Sequence, residues 1–335
     1  MKKIVLILTI PLLFSCKEKY VRDFDPQTNF DALWEILDTR YCFFEEKGID
    51  WNGVKTIYEP KLKDIKYAEV GMFDLFAQML DTLQDGHVNL YAPFDISRCK
   101  GWFENYPENF NAQIISSRYL KDNFRVAAGF QYNAVANGTI GYIRYSSFSD
   151  GISAAGMDYI AAFFNQNKKL IIDVRNNGGG SLGYSSSFAA CFFKEKTLTG
   201  YIRHKTGKGH REFSDYQPIY TNPSERIYDW SDFKVVILTN RRCYSATNEF
   251  VNRVKHAPNV TVIGGITGGG GGIPASSELP CGWLIRFSSV QLMDKNKKQI
   301  EFGIEPDIEI NLSEEDIANG YDTMIEKAIE ILNRN

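Results

Sequence analysis

Residues Lys168-Lys-Leu-Ile-Ile-Asp-Val-Arg-Asn-Asn-Gly-Gly-Gly180 set the reading of this chain, and Val235-Val-Ile-Leu-Thr-Asn-Arg-Arg-Cys-Tyr-Ser-Ala-Thr-Asn-Glu-Phe250 repeats their logic. Each opens with a short apolar run rich in β-branched residues, the pattern of a buried strand, and then breaks into polar residues before helix-forming sequence. Strand, tight turn and helix in that order bring backbone N–H groups and one side chain to the mouth of a sheet. A nucleophile belongs in such a place.

Outward from these two segments, strands are predicted at 141–145 and 260–264, and helices at 156–165, 181–193 and 245–255. The alternation implies an α/β fold, a mixed sheet with crossover helices. Upstream, Phe30, Leu33, Trp34, Leu37 and Tyr41 have helical spacing, Asp50-Trp-Asn-Gly-Val54 opens a second helix, and Val70–Leu83 forms a third. This gives a small helical region over 17–92, ending at Gln84-Asp-Gly-His87 and a short strand, Val88–Tyr91. Residues 93–138 are aromatic-rich and read as a short β-rich insert, 139–312 as the core, and 313–335 as a C-terminal helical segment with Ser313-Glu-Glu-Asp as its N-cap signature. The polar stretch up to Trp230 reads as a surface excursion, and Gly264–Pro274 as a flexible turn without the Gly-Lys-Ser/Thr ending of a phosphate loop.

Composition narrows the class. The 335 residues are 44% hydrophobic and 24% charged, with a formal net charge of −3, so no basic field invites nucleic acid. Lys2-Lys3 followed by the apolar run Ile4–Phe14 is an export signal too short to span a bilayer as a mature helix. Leu13-Phe-Ser-Cys16 resembles the bacterial lipobox, which implies that residues 1–16 are a lipoprotein signal, that Cys16 carries lipid, and that the protein sits in the bacterial cell envelope on a membrane anchor. Cys42, Cys99, Cys191, Cys243 and Cys281 remain, with no CxxC spacing, and the four histidines form no HExxH pair. Neither a zinc site nor a disulfide framework is expected, and no cofactor.

Asp173-Val-Arg-Asn-Asn-Gly-Gly-Gly180, Ser245-Ala-Thr-Asn-Glu249 and Gly303-Ile-Glu-Pro-Asp-Ile-Glu309 fall in the order and spacing seen in the C-terminal processing (tail-specific) serine peptidases and their tricorn-core relatives. The resemblance covers most of residues 24–312. It implies a crotonase/ClpP-like core and hydrolysis of peptides or unfolded protein tails through an acyl-enzyme. Many processing peptidases insert a peptide-binding PDZ module near 93–138, and this span is too short for a complete one.

Peptide hydrolysis by serine needs an oxygen whose proton is removed as it attacks and N–H donors for the resulting oxyanion. Ser245, at a strand-to-helix junction, is the candidate nucleophile; its rival role is the N-cap of the following helix. Glu249 lies four residues on, where the family motif has glutamate three after the serine. Cys243 is a weaker candidate. The family's Gly-Lys-Gly turn falls on Gly269-Gly-Gly271, with Gly270 in place of the lysine base, and Lys255 reads as a helix-surface residue. A lone histidine after a turn is by default structural, but Leu83-Gln-Asp-Gly-His87 resembles the segment carrying the general base in the tricorn-like branch, so His87 is the expected base. Glu301, ahead of Glu305, is the expected carboxylate orienting the imidazole. Backbone N–H groups of Ala246 and of Gly179 or Gly180 are the expected oxyanion donors. The missing lysine and absent PDZ keep a second class open, a non-catalytic ligand-binding lipoprotein on the same scaffold, for which His87 would lie far from Ser245.

Overall fold

Leu170 and Ile172 point to one side of a sheet and Ile171 to the other, and all three are fully buried. Val235 and Ile237 repeat this against Val236 and Leu238 in the neighbouring strand. A strand covered on both faces reads as an unbroken apolar run because alternation has no polar side to show. Each such side chain contributes about 1.5–3 kcal/mol of transfer free energy. These two strands form the centre of the fold.

The structure is a computed structural model and describes residues 22–224 and 229–334; Cys16 and the signal lie outside them. In chain order the strands are β1 Asn89–Tyr91, β2 Arg125–Ala127, β3 Phe130–Val135, β4 Ile140–Tyr145, β5 Lys169–Asp173, β6 Thr197–His204, β7 Gln217–Thr221, β8 Lys234–Thr239, β9 Val260–Gly264, β10 Gly272–Glu278, β11 Leu284–Met293 and β12 Ile308–Glu309. Seven of them form one mixed sheet in the order β12-β9-β8-β5-β4-β3-β2. β4, β5, β8, β9 and β12 are parallel, and β3 turns back antiparallel on β4. Helices Ala154–Phe163, Leu182–Ala189 and Ala246–Val254 cover one face, and helix Thr323–Asn333 covers the other. The expected α/β core with crossover helices is the observed one.

A second sheet lies over the first, with β11 at its centre. β10 runs along one edge of β11, and β1 and β6 share the other. The N-terminal helices Pro26–Arg40, Trp51–Tyr58 and Ala68–Asp81 pack on this sheet through Phe30, Leu37, Trp51 and Phe76 against Trp283, Ile285 and Phe287. The helix start expected at Asp50 is observed, with Asp50 accepting from Gly53 N, and Asp25 caps the first helix in the same way by accepting from Thr28 N.

Three expectations differ from this arrangement. The span 93–138 is not mainly β: it opens with short helical turns at 101–104 and 112–120, and its strands β2 and β3 belong to the core sheet, so the division at 139 falls inside the β3–β4 hairpin. Aromatic content suggested strands there, but Trp102 instead stacks on Tyr244, with ring centroids 4.3 Å apart. The polar stretch before Trp230 carries β6 and β7, edge-side strands whose outward faces are wet. The glycine run at 268–272 is buried and closely packed rather than a flexible turn. A Cβ at Gly269 would come within 1.8 Å of the Glu301 carbonyl oxygen.

The polar end of β5 is anchored by charge. Arg175, fully buried, donates to Asp173 at 2.7 Å and to Asp322 at 2.9 Å, and Tyr142 donates to Asp173 at 2.9 Å. Removing one member of such a group strands the others without water or partner. Arg175→Met is therefore expected to cost about 3–5 kcal/mol, read as a lower urea midpoint with an unchanged m-value; a loss below about 1 kcal/mol would mean the carboxylates find other partners.

Candidate active site

Ser245 follows the β8 loop and opens the helix Ala246–Val254 with φ 57° and ψ −121°. An L-residue held at positive φ costs about 1–3 kcal/mol and persists only where neighbours impose it. They do so here: Tyr244 N donates to Asn177 O at 3.1 Å, and Ser245 N to Gly269 O at 2.9 Å. The hydroxyl makes no capping bond to the helix, so the N-cap reading does not hold. Its Oγ lies 2.9 Å from His87 Nε2, across 158 positions of sequence.

His87 arrives from the second layer, just before β1. Asp85 fixes it there: one carboxylate oxygen accepts the His87 backbone N–H at 2.8 Å. The other accepts from Tyr41 Oη at 3.0 Å and Ser288 Oγ at 2.9 Å. Burial pushes the Asp85 carboxyl up, but Lys47, His87 and these hydrogen bonds outweigh it and hold it below the ordinary carboxylate value. The His87 ring is also buried, which pushes its pKa down; Asp85 opposes this, Arg286 and Lys47 add to it, and the result is about 4. A neutral imidazole with Nε2 facing a hydroxyl is in the state a proton acceptor needs.

The loop after β5 passes alongside. Asn177 joins the two halves: its Oδ1 accepts from Gly179 N at 3.0 Å and from Thr247 Oγ1 at 2.7 Å, and its Nδ2 donates to Tyr145 O at 3.0 Å. Gly179 has φ 99°, and a Cβ there would lie 2.8 Å from Ser245 Cβ and 2.9 Å from Ala246 N. Only glycine permits that approach. Because the Gly179 N–H already serves Asn177, the N–H groups of Gly180 and Ala246 are the pair without a hydrogen bond among the described residues.

Glu301 stands apart from its expected role. It is buried, but its carboxylate pairs with Lys47 Nζ at 2.8 Å, and among the described residues it makes no hydrogen bond to His87, whose Nδ1 has no partner. A buried ammonium captures the nearest carboxylate, and Lys47 also donates to the Leu83 and Gln84 carbonyls just ahead of His87. Burial and the nearby Asp85 charge push Glu301 up to about 8, with Lys47 opposing. Of two carboxylates sharing one cation, Asp85 keeps its charge and Glu301 takes a proton more readily. Glu305 is exposed.

The remaining candidates resolve simply. Cys243 is fully buried, its thiol pushed up to about 12 by burial while donating to Val174 O. Lys255 pairs with Asp307 at 2.9 Å. Glu249 faces Ser185 and Arg253, tying two helices together. Gly270 lines the cavity beside Ser245, in the place where the resemblance would put a lysine. Asp85, Lys47, Tyr41 and Ser288 were missed by sequence reasoning. Only Asp85 had a visible signal, an Asp-Gly turn two residues before the histidine.

Two clefts adjoin these residues. One of about 270 Å³ is lined by Ser245, Gly180 and Gly270; another of about 370 Å³ is lined by Tyr244, Lys47 and Glu301. Among the described residues no group of three or more His, Cys, Asp or Glu is placed to hold a metal ion, and no helix is long and apolar enough to cross a membrane.

A serine held out of helical conformation at the start of the helix that follows a parallel strand, in contact with an imidazole, is the arrangement of a serine-type peptidase. The model of Peptidase family S41 matches residues 139–310, and that of the tricorn protease C1 domain matches residues 24–81. The chain belongs to peptidase family S41. It is 45% identical to a candidate peptidase from Parabacteroides merdae whose crystal structure superposes with a TM-score of 0.86, over 92% of this chain and 97% of that one. A probable CtpA-like serine protease of Staphylococcus aureus is 27% identical over 52% of this chain and 34% of its own length, so the chain spans about a third of the curated relatives it matches. The tricorn protease superposes with a TM-score of 0.55 at 15% identity, over 92% of this chain and 36% of that one, a likeness of fold alone.

The depressed imidazole has a measurable consequence. Between pH 6.5 and about 4 the unfolded chain binds a proton at His87 that the folded protein refuses. Stability from this group is complete above pH 6.5 and falls as pH drops toward 4. The His87 ring resonances, followed by NMR, are expected to hold steady from pH 8 to about 5 and shift only near 4; a midpoint near 6.5 would mean a solvated ring.

Proposed function

We propose that this protein is a lipid-anchored cell-envelope serine endopeptidase that cleaves peptides or unfolded protein tails through an acyl-enzyme. The single observation carrying the proposal is the 2.9 Å contact between His87 Nε2 and a Ser245 hydroxyl that its own helix does not use. Ser245 Oγ attacks the scissile carbonyl carbon while its proton passes to Nε2. The oxyanion then receives N–H groups from Ala246 and Gly180. As the C–N bond breaks, the imidazolium returns the proton to the leaving amine, and water, deprotonated by the same nitrogen, hydrolyses the ester.

In this reading Asp85 takes the part expected of Glu301. Its buried negative charge favours the imidazolium through space, and its hold on the His87 backbone N–H fixes where the ring sits. Glu301 and Lys47 act one step further out, holding the turn that delivers His87. The alternative of a ligand-binding lipoprotein on this scaffold is disfavoured, because a binding shell has no use for a strained serine beside a neutral imidazole.

Ser245→Ala and His87→Ala are each expected to lower hydrolysis of a casein or peptide substrate by about 10⁴-fold or more and to abolish labelling by a fluorophosphonate probe. Labelling that survives Ser245→Ala would reject the nucleophile. The anchor rests on Leu13-Phe-Ser-Cys16 after the apolar run, and it predicts palmitate incorporation in cells that Cys16→Ala removes. Unchanged incorporation in that variant would remove the anchor from the proposal.

A further inference from the structure

The cavity beside Ser245 has apolar walls formed by Leu182, Ile273, Pro274 and Leu292, and one charged side chain, Arg286. Arg286 stands on β11 and is half-buried. Its Nη1 donates to Asn89 Oδ1 at 3.2 Å, and Asn89 is in turn held by the Ser97 carbonyl at 3.1 Å. Among the described residues no carboxylate lies within ion-pair distance of Arg286. The two buried arginines, Arg175 and Arg253, both face carboxylates. A guanidinium offers five donors in a planar fork suited to a carboxylate, and this one lines a cavity that also holds the nucleophile.

We propose that this cavity is a subsite for a substrate carboxylate, with Arg286 as its counter-ion and the apolar walls receiving the adjoining hydrocarbon. The inference rests on the peptidase reading and specifies its substrate class: peptides with a carboxylate close to the scissile bond, from a chain terminus or from an Asp or Glu side chain. A cavity of about 270 Å³ has room for one side chain or terminal residue.

The test separates binding from turnover. Ser245→Ala protein is titrated calorimetrically with a short apolar peptide ending in a carboxylate, with its C-terminal amide, and with amidated peptides carrying internal Glu or Gln. One carboxylate peptide is expected to bind about ten- to a hundredfold tighter than its neutral counterpart, the range of a charge-assisted hydrogen-bond pair. Which pair differs identifies the source, and adding Arg286→Gln is expected to erase the difference. Equal binding of all four peptides, or a preference that survives Arg286→Gln, overturns the inference. Should Arg286→Gln fail to fold, a salt titration of the Ser245→Ala protein decides: the preference must shrink as salt rises, and a salt-independent preference counts against Arg286. Cleavage of the same peptides by the wild-type protein decides the peptidase reading separately, so either can fail without the other.

Discussion

One hydrogen-bond contact joins the two layers of this protein. Ser245 belongs to the seven-stranded sheet and His87 to the helices and second sheet packed over it, and they meet at 2.9 Å. Neither layer could set that distance alone. On one side, Asn177 and the Gly269 carbonyl hold the serine in a conformation it would not choose. On the other, Tyr41, Ser288 and the His87 N–H converge on Asp85. The site exists because both sets of restraints are satisfied when the layers dock.

Buried charge does much of this positioning. Asp85, Lys47 and Glu301 form a group in which two carboxylates share one ammonium, and at low dielectric the three cannot all hold their usual protonation. The imbalance leaves a negative charge near the imidazole and a more easily protonated carboxyl farther away. At the end of β5, Arg175 likewise serves two carboxylates, Asp173 and Asp322, but there every carboxylate oxygen is hydrogen-bonded, and the group secures the loop that leads to Gly179 and Gly180. A tense group near the chemistry and a satisfied one behind it divide the tasks of tuning and support.

The central strands were legible because both their faces are buried, which turns Leu170–Ile172 and Val235–Leu238 into unmistakable apolar runs. Ser245 was legible at a strand-to-helix junction, whereas His87 was legible only through the resemblance of Leu83-Gln-Asp-Gly-His87 to the tricorn-like segment, since a lone histidine after a turn reads as structural. Strands β6 and β7 were not, since an edge strand with a wet face has the composition of a loop. The partner of Glu301 was also hidden. Spacing along the chain cannot tell that Lys47, from the far N-terminal region, would reach that carboxylate first. Asp85 was in plain view within Gln84-Asp-Gly-His87, but its role depends on Tyr41 and Ser288, which only the packed second layer brings to it.

The most direct measurement of this account is the site of acylation. Protein mixed with a slowly deacylating peptide ester, quenched in acid and digested, is expected to carry the acyl group on the peptide that contains Ser245, with less adduct formed as His87 becomes protonated. An acyl group mapped to Cys243 or any other residue, or no adduct while the ester is consumed, would contradict the claim that these two side chains share a proton.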